Sequence, residues 1–297
     1  MIGRFAQFVA VDWSGAKGPR QKGIAVALAN AAGAPPALLP PPDPRGWARS
    51  EVLALLAELK VPTLVGLDLG ISLPHADAGA FFPGWDASPA DARALWALID
   101  ALCASDPHLE AGGFLAHPEA ARYFRHGKGE QGDRFLLPGA PTREGRFRIA
   151  EHAQRGQGVR PVSNFNLVGA AQVGKSSLTG MRVLHRLAGR VPIWPFDPVP
   201  ETGPVLVEIY TTIAARAAGL GRRSPGPARG APSGWPACAA HRCPGRTGAA
   251  AAGGPGATVR GASGRSSSSR PRSSRERRRC GRRRATAAGR PAWPRVR

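Results

Sequence analysis

The chain has 297 residues and a formal net charge of +21, but residues 221–297 contain 19 arginines, no lysine and one acidic residue, and so supply +18 of it. Residues 1–220 carry only +3, which excludes charge-driven polyanion binding as the defining property of the body. Only Cys103 lies in the body, which excludes a disulfide framework. No 18-residue apolar run exists and Asp12 interrupts the first apolar segment, so we expect neither a transmembrane helix nor a signal peptide, and the cytoplasm is the default location.

Apolar patterning along the body predicts strands interleaved with helices. Strands are predicted at 6–12, 23–30, 37–39, 63–68 and 205–210, and helices at 51–60, 89–105, 178–187 and 213–219. Ser50 is the predicted N-cap of the first helix. The stretch 112–157 is polar and rich in glycine and arginine, which predicts a long active-site insertion rather than core.

Three of the predicted strands carry one carboxylate at or near their C-terminal ends: Asp12, Asp68 and Glu208. An ionised carboxylate is costly in an apolar strand unless a positive charge meets it there. Any one of these acids alone is best explained as a cap at the solvent edge. Three of them at equivalent places favour neighbouring strands whose acids converge on divalent metal ions, and carboxylate and water ligands suit Mg²⁺ or Mn²⁺.

A second motif, Gly169-Ala170-Ala171-Gln172-Val173-Gly174-Lys175-Ser176, matches the phosphate-binding pattern G-x-x-x-x-G-K-[ST] in full. In such a loop the backbone N–H groups and a helix N-terminus hold phosphate oxygens. Only 44 residues follow Ser176 before the composition changes, too few for the remaining strands of a nucleotide-binding domain. The alternatives are a glycine-rich turn before a helix, or a phosphate contact for a nucleic-acid backbone through Lys175 and Ser176.

Five arginines lie close together between positions 143 and 160: Arg143, Arg146, Arg148, Arg155 and Arg160. Such a stretch either holds phosphates or forms a solvated charged face. We predict Arg146 and Arg148 as substrate-binding residues together with Lys175 and Ser176. The histidines of the body do not have the spacing of metal ligands.

The tail at 221–297 lacks leucine, isoleucine, phenylalanine, methionine and tyrosine, so it cannot offset its ordering entropy by burial and is not expected to fold. One interpretation is a disordered RNA-binding or charge-rich interaction tail. The other is translation of a GC-rich gene out of frame, which yields this arginine, glycine, alanine and proline composition. The sharp change after Leu220 and the absence of lysine favour the frame error, and resequencing the gene across codon 220 tests it.

With Asp12, Asp68 and Glu208 on strands, the element order matches the ribonuclease H-like fold, and over about residues 4–220 the sequence resembles the domain-of-unknown-function family 429, regarded as predicted ribonuclease H-like nucleases. The resemblance is carried by Val9-Ala10-Val11-Asp12-Trp13-Ser14-Gly15, Gly66-Leu67-Asp68 with Leu73-Pro74, and Val207-Glu208-Ile209-Tyr210, with similarity also at 169–180 and in Trp194-Pro195-Phe196-Asp197. It implies an α/β fold with a mixed five-stranded sheet and an Asp-containing helix after the last strand. The chain has no Asp beyond Asp197, and the implied helix falls where the tail begins, which supports the frame error and leaves the activity of this product open.

These observations together predict a ribonuclease H-like domain at 1–220, with an insertion at about 75–203. The hypothesis is a metal-dependent nuclease in which Asp12, Asp68 and Glu208 are catalytic and hold two Mg²⁺ or Mn²⁺ ions, with DNA or RNA as the partner and substrate. The alternatives are a phosphotransfer or NTPase protein acting through Lys175 and Ser176, and a non-catalytic nucleic-acid-binding module whose tail supplies affinity.

Overall fold

A five-stranded mixed sheet organises the chain in this computed structural model, which describes residues 2–140, 142–169 and 172–219. The predicted tail at 221–297 lies outside the described residues. The strands are β1 (Gln7–Asp12), β2 (Ala25–Asn30), β3 (Ala37–Leu39), β4 (Thr63–Asp68), the hairpin strands β5 (Arg125–Gly127) and β6 (Glu130–Gln131), and β7 (Val205–Glu208). All five strands predicted from the sequence are therefore present.

The order of strands in the main sheet is β3-β2-β1-β4-β7. The first three strands form an antiparallel meander, whereas β1, β4 and β7 run parallel to one another. This is a ribonuclease H-like topology, and the predicted fold class is confirmed. Because β1, β4 and β7 are parallel and adjacent, their carboxyl ends meet at one edge of the sheet, where ligands of open α/β sheets usually bind.

The helices are α1 (Arg49–Ala57), α2 (Ala92–Leu102), α3 (Gly112–Ala116), α4 (Pro118–Ala121), α5 (Ile149–Gly156), α6 (Val173–Leu187) and α7 (Thr211–Ala217). The first helix begins earlier than predicted, because Ala48 takes the N-cap position and its N–H donates to the Glu51 carboxylate at 2.8 Å. No described helix is both long and apolar enough to cross a membrane.

One face of the sheet is packed against helices. Valine and leucine side chains on this face are buried: Val9, Val11, Val65, Leu67 and Leu206. They share a hydrophobic core with side chains of α1 and α6: Val52, Leu56, Leu178, Met181 and Leu184. Each fully buried side chain of this kind contributes roughly 1.5–3 kcal/mol. This face therefore fixes the position of α6, whose N-terminus lies near the carboxyl ends of the parallel strands.

The opposite face of the sheet is open. Its side chains line a shallow apolar groove of about 250 Å³, which is bounded by strand residues, Pro36 and Ile209. Ala10 on this face is exposed, and Phe8, Leu64 and Val207 are only half-buried. The two faces alternate residue by residue along each strand, as the period of a strand requires.

The stretch 112–157 was predicted as an active-site insertion that is not core, and the second part of that prediction is wrong. It contributes several fully buried aromatic side chains: Phe114, Tyr123, Phe124 and Phe135. Phe82 and Phe165 from flanking segments complete the cluster, with ring centroids 5.1–6.5 Å apart in the contacts that join them. These aromatic residues are scattered among glycines and arginines without helical or strand periodicity, so the pattern conceals a compact core.

Candidate metal centre at the ends of three strands

Asp12, Asp68 and Glu208 lie at the C-terminal ends of β1, β4 and β7, as predicted. All three line one cleft of about 400 Å³, together with Arg148, Glu151, Asn164, Ser176 and Thr211, among others. We call this the acidic cleft. The structure therefore brings the three predicted carboxylates to one place at the carboxyl edge of the sheet.

The strand register separates these carboxylates into a pair and a single acid. Asp12 is directly opposite Asp68 in the β1–β4 pairing, whereas Glu208 is opposite Leu67 in the β4–β7 pairing. Residues opposite each other in a parallel sheet point to the same face, and a shift of one residue changes the face. Asp12 and Asp68 therefore share the open face, and Glu208 starts from the face packed against helices.

As a consequence the three carboxylates do not form a preformed metal-binding site. Within the described ranges, no three histidine, cysteine, aspartate or glutamate side chains are grouped so that they could hold a metal ion as they stand. Asp12 and Asp68 are the two acids whose register and face agree. Any ion that uses Glu208 as well requires a rearrangement of that side chain.

The pKa values of the Asp12 and Asp68 carboxyl groups are both raised. Partial removal from water raises the pKa of the Asp12 carboxyl, and the neighbouring charge of Asp68 raises it further. The pKa of Asp68 is also raised, first by desolvation and then by the charge of Glu208, although hydrogen bonds from Thr211 oppose the increase. Two carboxylates whose ionised forms are disfavoured in this way are stabilised when a cation binds between them.

Thr211 fixes the orientation of Asp68. Its hydroxyl Oγ1 donates to Asp68 Oδ2 at 2.6 Å. Thr211 is the first residue of α7, which follows β7 directly, so the helix start and the carboxylate are held together. The sequence analysis missed Thr211, because a hydroxyl residue 143 positions from its partner leaves no local signal.

Arg148 binds Glu208 through both oxygens of the carboxylate. Arg148 Nη2 lies 2.6 Å from Glu208 Oε1, and Nη1 lies 2.7 Å from Oε2. The same guanidinium contacts Glu151 through Nε at 2.9 Å and through Nη2. Burial by itself lowers the pKa of the Arg148 guanidinium. The hydrogen bonds and charges of the two carboxylates outweigh burial and raise this pKa above its ordinary value. Arg148 thus lies in the acidic cleft, as expected for a substrate-binding residue, but it is engaged by Glu208.

Arg146, the other arginine predicted to bind substrate, lies outside the acidic cleft. Its side chain is 2% exposed and forms an ion pair with Asp77 at 2.6 Å. It also donates to the carbonyl oxygens of Pro74, Ala80 and Phe81. These contacts join the segment after β4 to the aromatic core, which favours a structural role for Arg146 over substrate contact.

The turn after β1 packs directly on the start of α6. A side-chain carbon at Gly15 would lie 2.3–2.6 Å from backbone and Cβ atoms of Lys175 and Ser176, so only glycine fits there. The indole Nε1–H of Trp13 donates to Thr179 Oγ1 at 3.0 Å. These contacts place Ser176 in the wall of the acidic cleft, whereas Lys175 is not among the described residues that line it.

The phosphate-loop motif at 169–176 does not have the geometry of a nucleotide-binding loop in the part that the structure describes. Before it, Asn166 forms an isolated bridge to Arg125 instead of a strand of the main sheet. The Gly174 N–H donates to Asn166 O at 3.0 Å, and the Lys175 and Ser176 N–H groups donate to Gln172 O at 3.1 and 3.2 Å. These amides already have acceptors, so the motif is better described as the turn that begins α6.

Asn164 is an unusual member of the cleft wall. The residue is 2% exposed, and its side-chain Nδ2 donates to Ser72 O at 2.9 Å. Its Oδ1 is buried and accepts no hydrogen bond from any described residue. Unpaired buried acceptors are rare in folded proteins, and at a cleft they indicate a missing donor such as an ordered water or a ligand hydroxyl.

Searches of family models, curated proteins and solved structures return no match to this chain. The resemblance to family 429 accordingly stays a prediction, and function has to be inferred from the acidic cleft itself.

Proposed function

We propose that the protein is a metal-dependent nuclease that hydrolyses phosphodiester bonds in the acidic cleft. The observation that supports this most is the pairing of Asp12 with Asp68 in register at the carboxyl ends of two adjacent parallel strands. A fold with ribonuclease H-like topology and an acid pair at this edge is suited to hold a divalent ion against a phosphate.

The residues present fit a hard cation. Mg²⁺ is usually bound by one or two carboxylates, with waters and substrate phosphates completing its shell, rather than by an all-protein cage. Asp12 and Asp68 supply such a carboxylate pair, and the unpaired Oδ1 of Asn164 is an acceptor in the same cleft wall. When bound, Mg²⁺ or Mn²⁺ would lower the pKa of a water and offset negative charge on the phosphate.

The contacts of the chain prepare this arrangement before substrate binds. Thr211 donates to Oδ2 of Asp68 and so fixes the orientation of this carboxylate. The Trp13–Thr179 hydrogen bond and the Gly15 contact fix the turn that follows Asp12. In the hydrolysis, water oxygen bonds to phosphorus while one ester P–O bond breaks. The water loses a proton and the leaving oxygen gains one.

A basic extension of the cleft supports a polyanionic substrate. Tyr210 and Thr212 line both the acidic cleft and an adjoining depression that also contains Arg160 and Arg216. Arg160 and Arg216 are exposed. A strand of nucleic acid with one phosphate at the acid pair would bring a neighbouring phosphate towards these arginines, which position the backbone without reading sequence.

The direct test is hydrolysis of labelled single- and double-stranded DNA and RNA by the full chain with Mg²⁺ or Mn²⁺. We expect cleavage that falls at least about 100-fold in Asp12→Asn, since carboxylate ligands of catalytic ions are essential to this chemistry. Asp86→Asn, an exposed aspartate outside the cleft, is the matched control and should cleave like the wild type. Equal rates for the wild type and Asp12→Asn would overturn the proposal.

A further inference from the structure

Arg148 provides a fixed positive charge at the place where Glu208 would otherwise be free to hold an ion. We propose, building on the function proposed above, that the acidic cleft binds a single divalent ion on Asp12 and Asp68, and that the Arg148 guanidinium supplies the second positive charge of the site. A site with one ion and one arginine differs from the two-ion site that the sequence predicts.

The first argument is the saturation of Glu208. Both of its oxygens accept from Arg148, at 2.6 and 2.7 Å, and Oε2 also accepts from the Ile71 N–H at 3.1 Å. A planar guanidinium matches a carboxylate bidentately and keeps its charge at every physiological pH. Glu208 therefore has a cationic partner already, and its geometry differs from that of a free ligand.

The second argument is the environment of Arg148. Its side chain is 13% exposed, and that of Glu151 is 6% exposed. If Arg148 left Glu208 to admit an ion, either the arginine or Glu151 would lose a charged partner in a largely buried position. Removing one partner from a buried ion pair is strongly unfavourable, because the other charge stays desolvated. The arrangement thus resists replacement of Arg148 by a second ion.

The third argument is the sheet register. Glu208 is opposite Leu67 and so starts from the face of the sheet that Asp12 and Asp68 do not share. One ion bound between Asp12 and Asp68 uses side chains of one face. A second ion bridging to Glu208 would require that side chain to turn away from both Arg148 and the Ile71 N–H.

Arg148 retains the capacity to contact substrate in this arrangement. A guanidinium has five N–H groups, of which the contacts to Glu208 and Glu151 use four, so one on Nη1 has no acceptor among the described residues. An arginine cannot generate a hydroxide from water, as a metal ion does. It can stabilise negative charge that develops on a phosphate or leaving oxygen. The two cations would thus have different chemical tasks.

Counting bound Mn²⁺ by electron paramagnetic resonance on the full chain, without nucleic acid, tests this inference. We expect one tightly bound ion per wild-type chain, none in Asp12→Asn and two in Arg148→Met, where Glu208 is released. The double variant Arg148→Met with Glu208→Gln should return to one ion, because the released carboxylate is then gone. Arg186→Met, which removes an exposed arginine paired with Asp100, is the matched control and should keep one.

The outcomes separate the two proposals. Two ions on the wild type would overturn the single-ion inference, and one ion on a folded Arg148→Met protein would overturn the role of Arg148 in excluding a second ion; either result would leave the nuclease proposal standing. No ion on the wild type would overturn both. Circular dichroism establishes that each variant is folded, and the wild-type count decides the question even if Arg148→Met does not fold.

Discussion

The two faces of the main sheet differ in what covers them. One face carries Val11, Val65 and Leu67, which are buried against α1 and α6. The other carries Ala10, Gly66 and the half-buried Leu64, and it borders an open groove. Asp12 and Asp68 continue the open face, whereas Glu208 continues the packed one. The comparison teaches that the packed face fixes the architecture, while the acid pair of the proposed site belongs to the face with little packing.

The largest predicted effect is a difference in the free energy of unfolding between substitutions at two leucines of β4. Leu67→Ala, on the packed face where the side chain is 0% exposed, should lower the free energy of unfolding by about 2–5 kcal/mol, because it leaves a cavity. Leu64→Ala, the same change on the open face, should cost about 1 kcal/mol. Urea denaturation of both variants measures the difference, and equal losses would show that the open face is packed as tightly as the other.

A smaller effect should show how far the acid pair depends on the segment after β7. Thr211→Val removes the hydroxyl that orients Asp68, so we expect Mn²⁺ affinity to fall about tenfold. A loss of this size is usual when a metal-binding side chain loses its hydrogen-bond partner. Thr212→Val, in the same turn but without that hydrogen bond, is the control. Titration calorimetry that finds equal affinities for the two variants would contradict the proposed role of Thr211.

The smallest predicted effect is the change in Tm when the charge of Asp68, at the end of the open face, is removed. The pKa of Asp68 is raised in the folded protein, so its ionisation costs stability as the pH rises through that folded value. Asp68→Asn should therefore raise the Tm at pH 7 by about 1–2 °C, since such local effects are modest. The gain should largely disappear near pH 3, below the unfolded pKa of about 3.9, where both states are protonated. A lower Tm at pH 7 would contradict a repulsive cleft.

Much of the sheet could be predicted from the sequence because its strands are short apolar runs with one acid at the end. The convergence of Asp12 with Asp68 followed from that pattern. The position of Glu208 on the other face could not be predicted, because it depends on a one-residue offset between β4 and β7 that neither strand encodes by itself. The bidentate pairing with Arg148 joins residues 60 positions apart and has no local signal.

The same limit applies to the arginines. Arg146 and Arg148 are two positions apart in a stretch that is basic along its length. Arg146 is buried in the protein interior, whereas Arg148 lies in the cleft. Their different partners, Asp77 for Arg146 and Glu208 for Arg148, decide which of them is available to a ligand. Composition therefore predicted a basic stretch correctly but could not assign its members.

The walls of the acidic cleft are held by different kinds of force. On the side of α6, the backbone at Gly15 packs directly on the first turn of the helix. On the side of α5, the one buried residue of the helix is Glu151, and its attachment to the cleft is the charge network with Arg148 and Glu208. The wall at α6 thus depends on close packing of uncharged groups and the wall at α5 on paired charges, so a change that alters charge would affect only the second wall.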